Sequence, residues 1–349
     1  MDVYPLLGIE ARFSRRALGI CFGHVECTRR VLQIPQIVAH QQKTLSGKTG
    51  MNRPVVAHPS QTGKMLISLI ILTYNRSDAL LTVLDALCQQ TDMDFEVVIA
   101  DDGSHQEHVH AVTTKEKKWP FPLCHAWHPD VGFTAAAARN MGARFAKGTY
   151  LIFLDGDCVP LSDFIQRHRT LARENCFVNG SRVLLNEKLT FTAIRQSLPD
   201  PRKNPIFWLR QRFQGHCNKL LGLFLRWPAT LRVRKTRFHW KGIRSCNFGL
   251  WYEAFERVDG FDEAYDGWGH EDADLVLRLH RAGYARIDGF WATEVLHLWH
   301  RQASRSDELA NRRRFMARMR ATNAEFKAEI GLHTPRTHAS KVKVRILSP

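Results

Sequence analysis

Three stretches of this chain combine the same two properties in the same order: an apolar run rich in β-branched residues, then an abrupt polar or acidic loop. Leu66-Ile-Ser-Leu-Ile-Ile-Leu-Thr73 gives way to Tyr74-Asn75-Arg76, residues 95–100 to Asp101-Asp102-Gly103-Ser104, and residues 149–154 to Asp155-Gly156-Asp157. A strand that is apolar along its whole length is buried on both faces, which requires helices above and below the sheet. The intervening segments supply them. Ser77 is placed to cap a helix through Gln90 with Leu80, Leu81, Leu84 and Leu87 on its inner face. A helical stretch follows Ser104, a short strand falls near residues 123–127, and residues 133–147 read as a small-residue helix. Alternating strands and helices predict an α/β fold with a mostly parallel sheet, right-handed crossovers and helices on both faces. Ligands of such sheets gather at the carboxyl ends of the strands, where these three loops lie.

Composition narrows the classes. With 44% hydrophobic residues in 349 the chain is not disordered overall, and no run of 18 apolar residues marks a membrane-spanning helix. Its eight cysteines are scattered without a CxxC pair, which argues against a structural zinc site or a disulfide framework and suits a reducing cytoplasm. The net charge of +16 is unevenly placed. Residues 188–250 carry 14 basic side chains and one acidic, whereas residues 65–187 and 251–300 are net negative. A nucleic-acid binder more often spreads basic charge over its main fold. Here the motif-bearing blocks are acidic, as expected of a site that holds a cation. Residues 1–64 are Arg-rich without clean periodicity and read as a mostly disordered basic extension; Met51 and Met65 both precede the first strong element.

In Asp155-Gly156-Asp157 two carboxylates share one face of an extended chain, and Gly156 is expected to let a ligand approach the backbone. Such a pair repels unless a cation or donors lie between them, and a hard divalent ion, Mg2+ or Mn2+, suits it. A lone motif of this kind is often only a solvated turn. Asp101-Asp102-Gly103-Ser104 repeats the theme, with an Asx turn as an equally good reading. Arg139 lies on the Ala-rich helix, within reach of the site or merely on its surface. The most distinctive segment is Gly267-Trp268-Gly269-His270-Glu271-Asp272-Ala-Asp274, three carboxylates in four residues behind two glycines that flank a tryptophan. Acids at a helix N-terminus favour its dipole, but the loop also looks shaped to wrap a ligand, and a carboxylate there suits proton abstraction. His297 and His300, three apart, are candidates to complete an oxygen and nitrogen metal shell.

Taken together, Ile71-Leu-Thr73-Tyr74-Asn75-Arg76, Asp101-Asp102-Gly103-Ser104, Ala138-Arg139-Asn140, Asp155-Gly156-Asp157 and Gly267-Trp268-Gly269-His270-Glu271-Asp272 resemble a family 2 glycosyltransferase of GT-A fold with a galactosyltransferase-type C-terminal motif. The resemblance spans about residues 65–300, with the motifs in the family's order. It implies inverting transfer from a nucleotide-diphosphate sugar, with uridine as the preferred base, assisted by Mn2+ or Mg2+. It places Thr73, Asn75 and Arg76 in the nucleotide pocket, Asp102 on base or ribose, Arg139 near the nucleotide, and Asp155 on ribose or metal. Gly156 and Asp157 belong to the same donor-binding motif. Asp157 and His300, with His297 as co-ligand, become metal ligands; Asp272 becomes the general base, with Glu271, Trp268 and Gly269 on the acceptor side.

The expected domain runs over residues 65–304, with a basic insertion at about 188–242 and a terminal helix and basic tail over 305–349. In the insertion Ile206, Leu209, Phe213, Cys217, Leu220 and Phe224 recur at helical spacing among Arg210, Arg212, Lys219 and Arg226. A basic amphipathic helix of that kind suits an anionic membrane surface, about 1 kcal/mol per basic residue, or else packs on the domain. The expectation is a peripheral enzyme on the inner face of the cell membrane, acting on a glycan or lipid-linked acceptor and not on nucleic acid. Ser306 is the expected cap of the terminal helix, with Leu309, Phe315, Met316, Met319 and Phe326 on its apolar face. The competing readings are a nucleotidyltransferase, which lacks its glycine-rich loop here, and a non-catalytic GT-A relative binding membrane or nucleic acid.

Overall fold

The apolar runs become neighbouring strands. In a computed structural model, which describes residues 65–115, 118–301, 305–322, 325–335 and 341–349, β1 (Ile67–Thr73), β2 (Phe95–Asp101), β3 (Leu123–Trp127) and β4 (Tyr150–Asp155) pair in parallel in the order β3-β2-β1-β4. The extension expected over residues 1–64 lies outside the described residues. Thr73 pairs with Asp101 and Leu72 with Asp155, so the loops after β1, β2 and β4 emerge along one edge.

Both faces are covered by the crossover helices. On one side α1 (Ser77–Leu87) sets Leu80, Val83, Leu84 and Leu87 against Ile67, Leu69, Ile71 and Phe95. Its chain continues through β2 to α2 (Gln106–Thr113). The expected Ser77 cap does not form: Arg76 holds the cap position without a side-chain bond, and the Ser77 hydroxyl lies 2.9 Å from His108 Nδ1. On the other side α3 (Ala135–Phe145) packs close, because its alanines and Gly142 are small; a Cβ on Gly142 would sit 2.6 Å from Ile70 Cγ2.

Beyond β4 the sheet is mixed. A small second sheet begins with β5 (Cys158–Pro160); α4 (Phe164–Leu171) leads to β6 (Cys176–Asn179) and β7 (Ser181–Leu184). The insertion then holds α5 (Glu187–Arg195), α6 (Pro205–Phe213) and α7 (Leu221–Phe224). β8 (Asn247–Trp251) runs antiparallel to both β4 and β6, α8 (Tyr252–Arg257) and α9 (Glu271–Arg281) follow, β9 (Ala285–Asp288) lies parallel to β6, and β10 (Glu294–His297) joins β5 and β7. After α10 (Glu308–Arg320), β11 (Lys343–Ser348) pairs antiparallel with β3. The segment expected as a basic tail is thus in part the edge strand of the main sheet.

The continuous amphipathic helix expected between Ile206 and Phe224 is also corrected. α6 ends at Phe213, and Gly215 turns the chain with φ +73°. Trp208, which lies outside the expected stripe, is fully buried with Leu189, Cys217 and Leu223, while Ile206 and Phe213 are 77% and 89% exposed. Burial of the Trp208 indole holds this helix to the domain and leaves Ile206, Leu209 and Phe213 of the expected stripe in solvent, while Cys217 is buried and Leu220 and Phe224 pack against the same cluster.

The acidic block around α9 splits into structural and site carboxylates. Asp262 and Asp274 are completely buried and share Arg318 of α10, whose guanidinium lies 2.6 Å from Asp262 and 3.2 Å from Asp274. Asp262 also accepts from the N–H groups of Ala264, Glu329 and Ile330, and Asp274 pairs with the buried Arg278 at 2.7 Å. α10 is capped at Asp307, not Ser306; Phe315 is its buried anchor, and Leu309 is 66% exposed rather than inward. Removing one member of a buried charge network strands the others, at about 3–5 kcal/mol. Arg318→Ala is therefore expected to lower the unfolding free energy from urea titration by about 3–5 kcal/mol, whereas Arg320→Ala, outside this network, leaves it unchanged.

Candidate functional site

The loops at the carboxyl edge are tied to one another before any ligand arrives. Asn75 adopts φ +50°; its N–H donates to Ser104 Oγ at 2.9 Å and its Oδ1 accepts from the His105 N–H at 2.8 Å. Thr73 is buried beside it, and the Tyr74 hydroxyl donates to Asp130 at 2.9 Å. Arg76 turns along the surface to Asp78, 2.9 Å away, and not across the cleft. Asp101 holds the turn through the Ser104 N–H at 2.8 Å and contacts His125 Nε2 at 2.9 Å.

Two of the motif residues also serve the scaffold. The Asp102 carboxylate is buried and already occupied: it accepts from the Thr134 N–H and hydroxyl, at 3.0 and 2.5 Å, and lies 3.1 Å from His128 Nε2. Asp102 thereby anchors the start of α3. Gly156 is also required by the protein itself, because an added Cβ would meet the Leu72 carbonyl at 2.9 Å and the Thr73 side chain at 3.4 Å. Both outcomes depend on neighbours distant in sequence.

Arg139 and Asn140 join the two acidic segments. The Arg139 guanidinium is buried over the Phe261 ring, 3.0 Å from Asp155 and 3.4 Å from Glu271. Burial opposes its charge, yet the charges of Asp155, Glu271 and Asp272 outweigh that and raise its pKa. Asn140, to which sequence reading assigns no role, donates to the Phe261 carbonyl and to Glu263, both at 2.9 Å, and accepts from the Phe261 N–H at 2.8 Å. The loop before α9 needs left-handed backbone at Gly267, Gly269 and His270, with φ of +69°, +108° and +71°. Trp268 is half-buried, and Arg305 covers its ring at 4.6 Å.

Asp272, in the first turn of α9, accepts from the Ala273 N–H at 2.7 Å. Burial, followed by the charge of Glu271, pushes its carboxyl up to about 7. A carboxylate of that basicity is matched to proton transfer near neutral pH.

Across the cleft, Asp157, His297 and His300 each offer a ligand atom, all within 4.8 Å of one another. Nε2 of His300 lies 3.2 Å from Asp157, Nε2 of His297 3.8 Å, and the Leu298 N–H donates to the Asp157 carbonyl at 2.9 Å. β10 is paired with β5 so that His297 faces Cys158, which brings the two histidines to the acidic strand end. Burial pushes His297 below the usual imidazole range despite Asp157, and neutral imidazole is the ligating form. One carboxylate oxygen and two imidazole nitrogens fit Mn2+ or a similar divalent ion.

Residues 68–255 match glycosyl transferase family 2, and residues 228–300 match the N-terminal domain of galactosyltransferase. The chain belongs to glycosyl transferase family 2. Validoxylamine A glucosyltransferase of Streptomyces hygroscopicus subsp. limoneus is 29% identical over 76% of this chain and 60% of its own length. Chondroitin synthase of Escherichia coli is 26% identical over 65% of this chain and 34% of its own. The chain thus spans at most about 60% of these curated relatives. A crystal structure of GalNAc-T7 with UDP, GalNAc and Mn2+ superposes with a TM-score of 0.51 at 18% identity, over 72% of this chain and 48% of that one. The fold is that of GT-A glycosyltransferases.

The raised Asp272 carboxyl has a consequence for stability. Folding favours its protonated form, so its contribution is present below the unfolded carboxyl value near pH 4 and is lost as pH rises through about 7. Asp272→Asn is expected to melt above the wild type at pH 8, with the gap closing toward pH 4, as followed by thermal denaturation across that range.

Proposed function

We propose that this glycosyltransferase moves a sugar from a nucleotide-diphosphate donor, with uridine as its base, to a hydroxyl of a glycan or lipid-linked acceptor, with inversion at the anomeric carbon. The observation that carries the reading is the convergence, at one sheet edge, of the Asp157, His297 and His300 cluster with the Arg139–Asp155–Glu271 network and the strongly basic Asp272. Asp272 takes the proton of the acceptor hydroxyl as that oxygen attacks the anomeric carbon from the face opposite the leaving diphosphate. Glu271 keeps Asp272 basic by its charge, and Arg139 holds Glu271 and Asp155 in place. Trp268 and Gly269 line the acceptor side; Thr73, Asn75 and Arg76 line the nucleotide side, with Asn75 fixing its two loops. A divalent ion would be held by Asp157, His297 and His300, where it supplies positive charge to the departing diphosphate.

Polysaccharide synthases among the relatives support a surface-glycan acceptor. No helix among the described residues is long and apolar enough to cross a membrane. Contact with the inner membrane face is assigned instead to the insertion, where exposed Ile206, Leu209 and Phe213 lie within a segment of 14 basic side chains and one acidic. Exposed apolar groups ringed by basic charge suit an anionic interface.

A thermal-shift panel of UDP, GDP and CMP, each with and without Mn2+, tests the donor site. UDP is expected to raise the melting temperature only with the ion, and His300→Ala to remove that dependence; no shift with any nucleotide would favour a non-catalytic relative. Sugar transfer should rise with pH through about 7, as Asp272 ionises, and vanish in Asp272→Asn while UDP binding survives. Cosedimentation with anionic vesicles at low salt is expected for the wild type and should weaken in Phe213→Ser; indifference to such vesicles would sink the membrane assignment.

A further inference from the structure

The chain returns from the insertion to β8 as a strap along α9, which neither the sequence motifs nor the proposed mechanism uses. Lys235 exchanges backbone hydrogen bonds with Arg286 of β9, at 2.8 and 3.0 Å. The strap then meets the last turn of α9, where the Thr236 carbonyl lies 2.6 Å from His280 Nε2 and the Phe238 ring 5.5 Å from that of His280. Trp240 reaches the first turn, its ring 5.7 Å from that of His270. Gly242 turns the chain at φ +79°, and Asn179 donates to the Gly242 carbonyl and accepts from the Arg244 N–H, both at 3.3 Å. The backbone of the buried Ser245 then donates to Asp272. The strap thus grips the first turn of α9 twice, at His270 and at Asp272.

His270 needs such a hold. It caps α9 in the left-handed region, at φ +71°, without a side-chain bond to the helix. Its carbonyl accepts the first intrahelical bond, from the Asp274 N–H at 2.9 Å. A residue with a side chain stays in that region only where its surroundings fix it. Here the ring is fixed. His270 stacks on Phe315 of α10 at 5.6 Å with 16° between the planes, and Trp240 closes on both, 5.2 Å from Phe315. Burial keeps the imidazole below its usual range against the pull of Glu271 and Glu308, so the ring packs uncharged. Trp240 is itself half-buried, at the rim of the cluster formed by Tyr265, Ala273, Leu277 and Phe315.

We propose that Trp240 is a positioning residue for Asp272: by closing the stack of His270 on Phe315 it fixes the first turn of α9, on which burial of the Asp272 carboxyl depends. The inference rests on the reading of Asp272 as the base and deepens it. Glu271 from the same turn and Arg139 from α3 are the charged groups that face Asp272, with Asp155 behind Arg139, and the strap adds the Ser245 N–H. Those charges stay in place when Trp240 is removed, so a change at that position acts on burial. A base set a fraction of an ångström off line, or opened to water, transfers protons less efficiently.

The test uses the full chain and two readouts that need no substrate. Trp240→Ala is expected to speed hydrogen exchange of the Asp274 amide by about tenfold or more, with the amides of β1 and β4 unchanged. The gap in melting temperature at pH 8 between Asp272→Asn and its parent reads the basicity of Asp272, and it should shrink in the Trp240→Ala background as that carboxyl falls toward its ordinary range. Trp240→Phe should restore both. Either readout unchanged in Trp240→Ala overturns the proposal. So does faster exchange throughout α9 and α10 that Trp240→Phe fails to restore, which assigns the ring to general packing. If both readouts shift as expected while Asp272→Asn still transfers sugar, the positioning of this turn stands and the base reading falls.

Discussion

The site depends on one buried cation. Asp155 ends a central strand and Glu271 opens α9, more than a hundred residues later, and the Arg139 guanidinium lies between them. Without it two carboxylates would be brought together in a cleft of low polarity, and one would protonate or move apart. With it, α9 is drawn against the edge of the sheet, and Asp272 is carried into position as the next residue. Asn140 acts one step along the same helix, fastening the backbone at Phe261 and the carboxylate of Glu263. A two-residue segment of α3 thereby ties the end of β4 to the segment that leads into α9.

The number of donors and cations around each carboxylate explains why neighbouring acids behave so differently. Asp262 and Asp274 are buried in the core among Arg318, Arg278 and several N–H groups, and against the cost of burial these partners hold the Asp262 carboxyl below its usual range. Asp272, buried beside the charge of Glu271 and with only backbone N–H groups and the more distant Arg139 to offset them, is left basic. Sequence density of acidic residues is thus a poor guide to chemistry; the number of donors around each carboxylate separates scaffold from site.

Features whose cause is local were readable before the fold was known. The apolar runs of β1, β2 and β4, the acidic turns that close them, and the spacing of His297 and His300 all survive folding. What the sequence leaves unseen has distant causes. Asp102 meets Thr134 and His128 only after β2 and the loop before α3 converge, and Gly156 is required by the carbonyl of Leu72 on a neighbouring strand. In the insertion the helical period was real, but Trp208 outside the stripe buries more surface than its exposed members. The alternation of Val342, Val344 and Ile346 with basic residues carried a strand signal for β11 that overall charge obscured.

Two hydrogen bonds close the neck of the insertion. The Gly180 N–H donates to the Asn247 carbonyl at 2.8 Å, and the Asn247 amide donates to the Ser181 carbonyl at 3.0 Å. Everything between is an excursion whose two ends are already fastened. For such a closed loop, doubling the length costs only about 0.6 kcal/mol in closure entropy. The residues from α5 to α7 are nonetheless held along their length, by Trp208 and Leu223 packed with Leu296 and by Arg202 and Arg226 on Asp163. It is therefore the exposed positions such as Ile206 and Phe213 that can change while the strands at the neck keep their register.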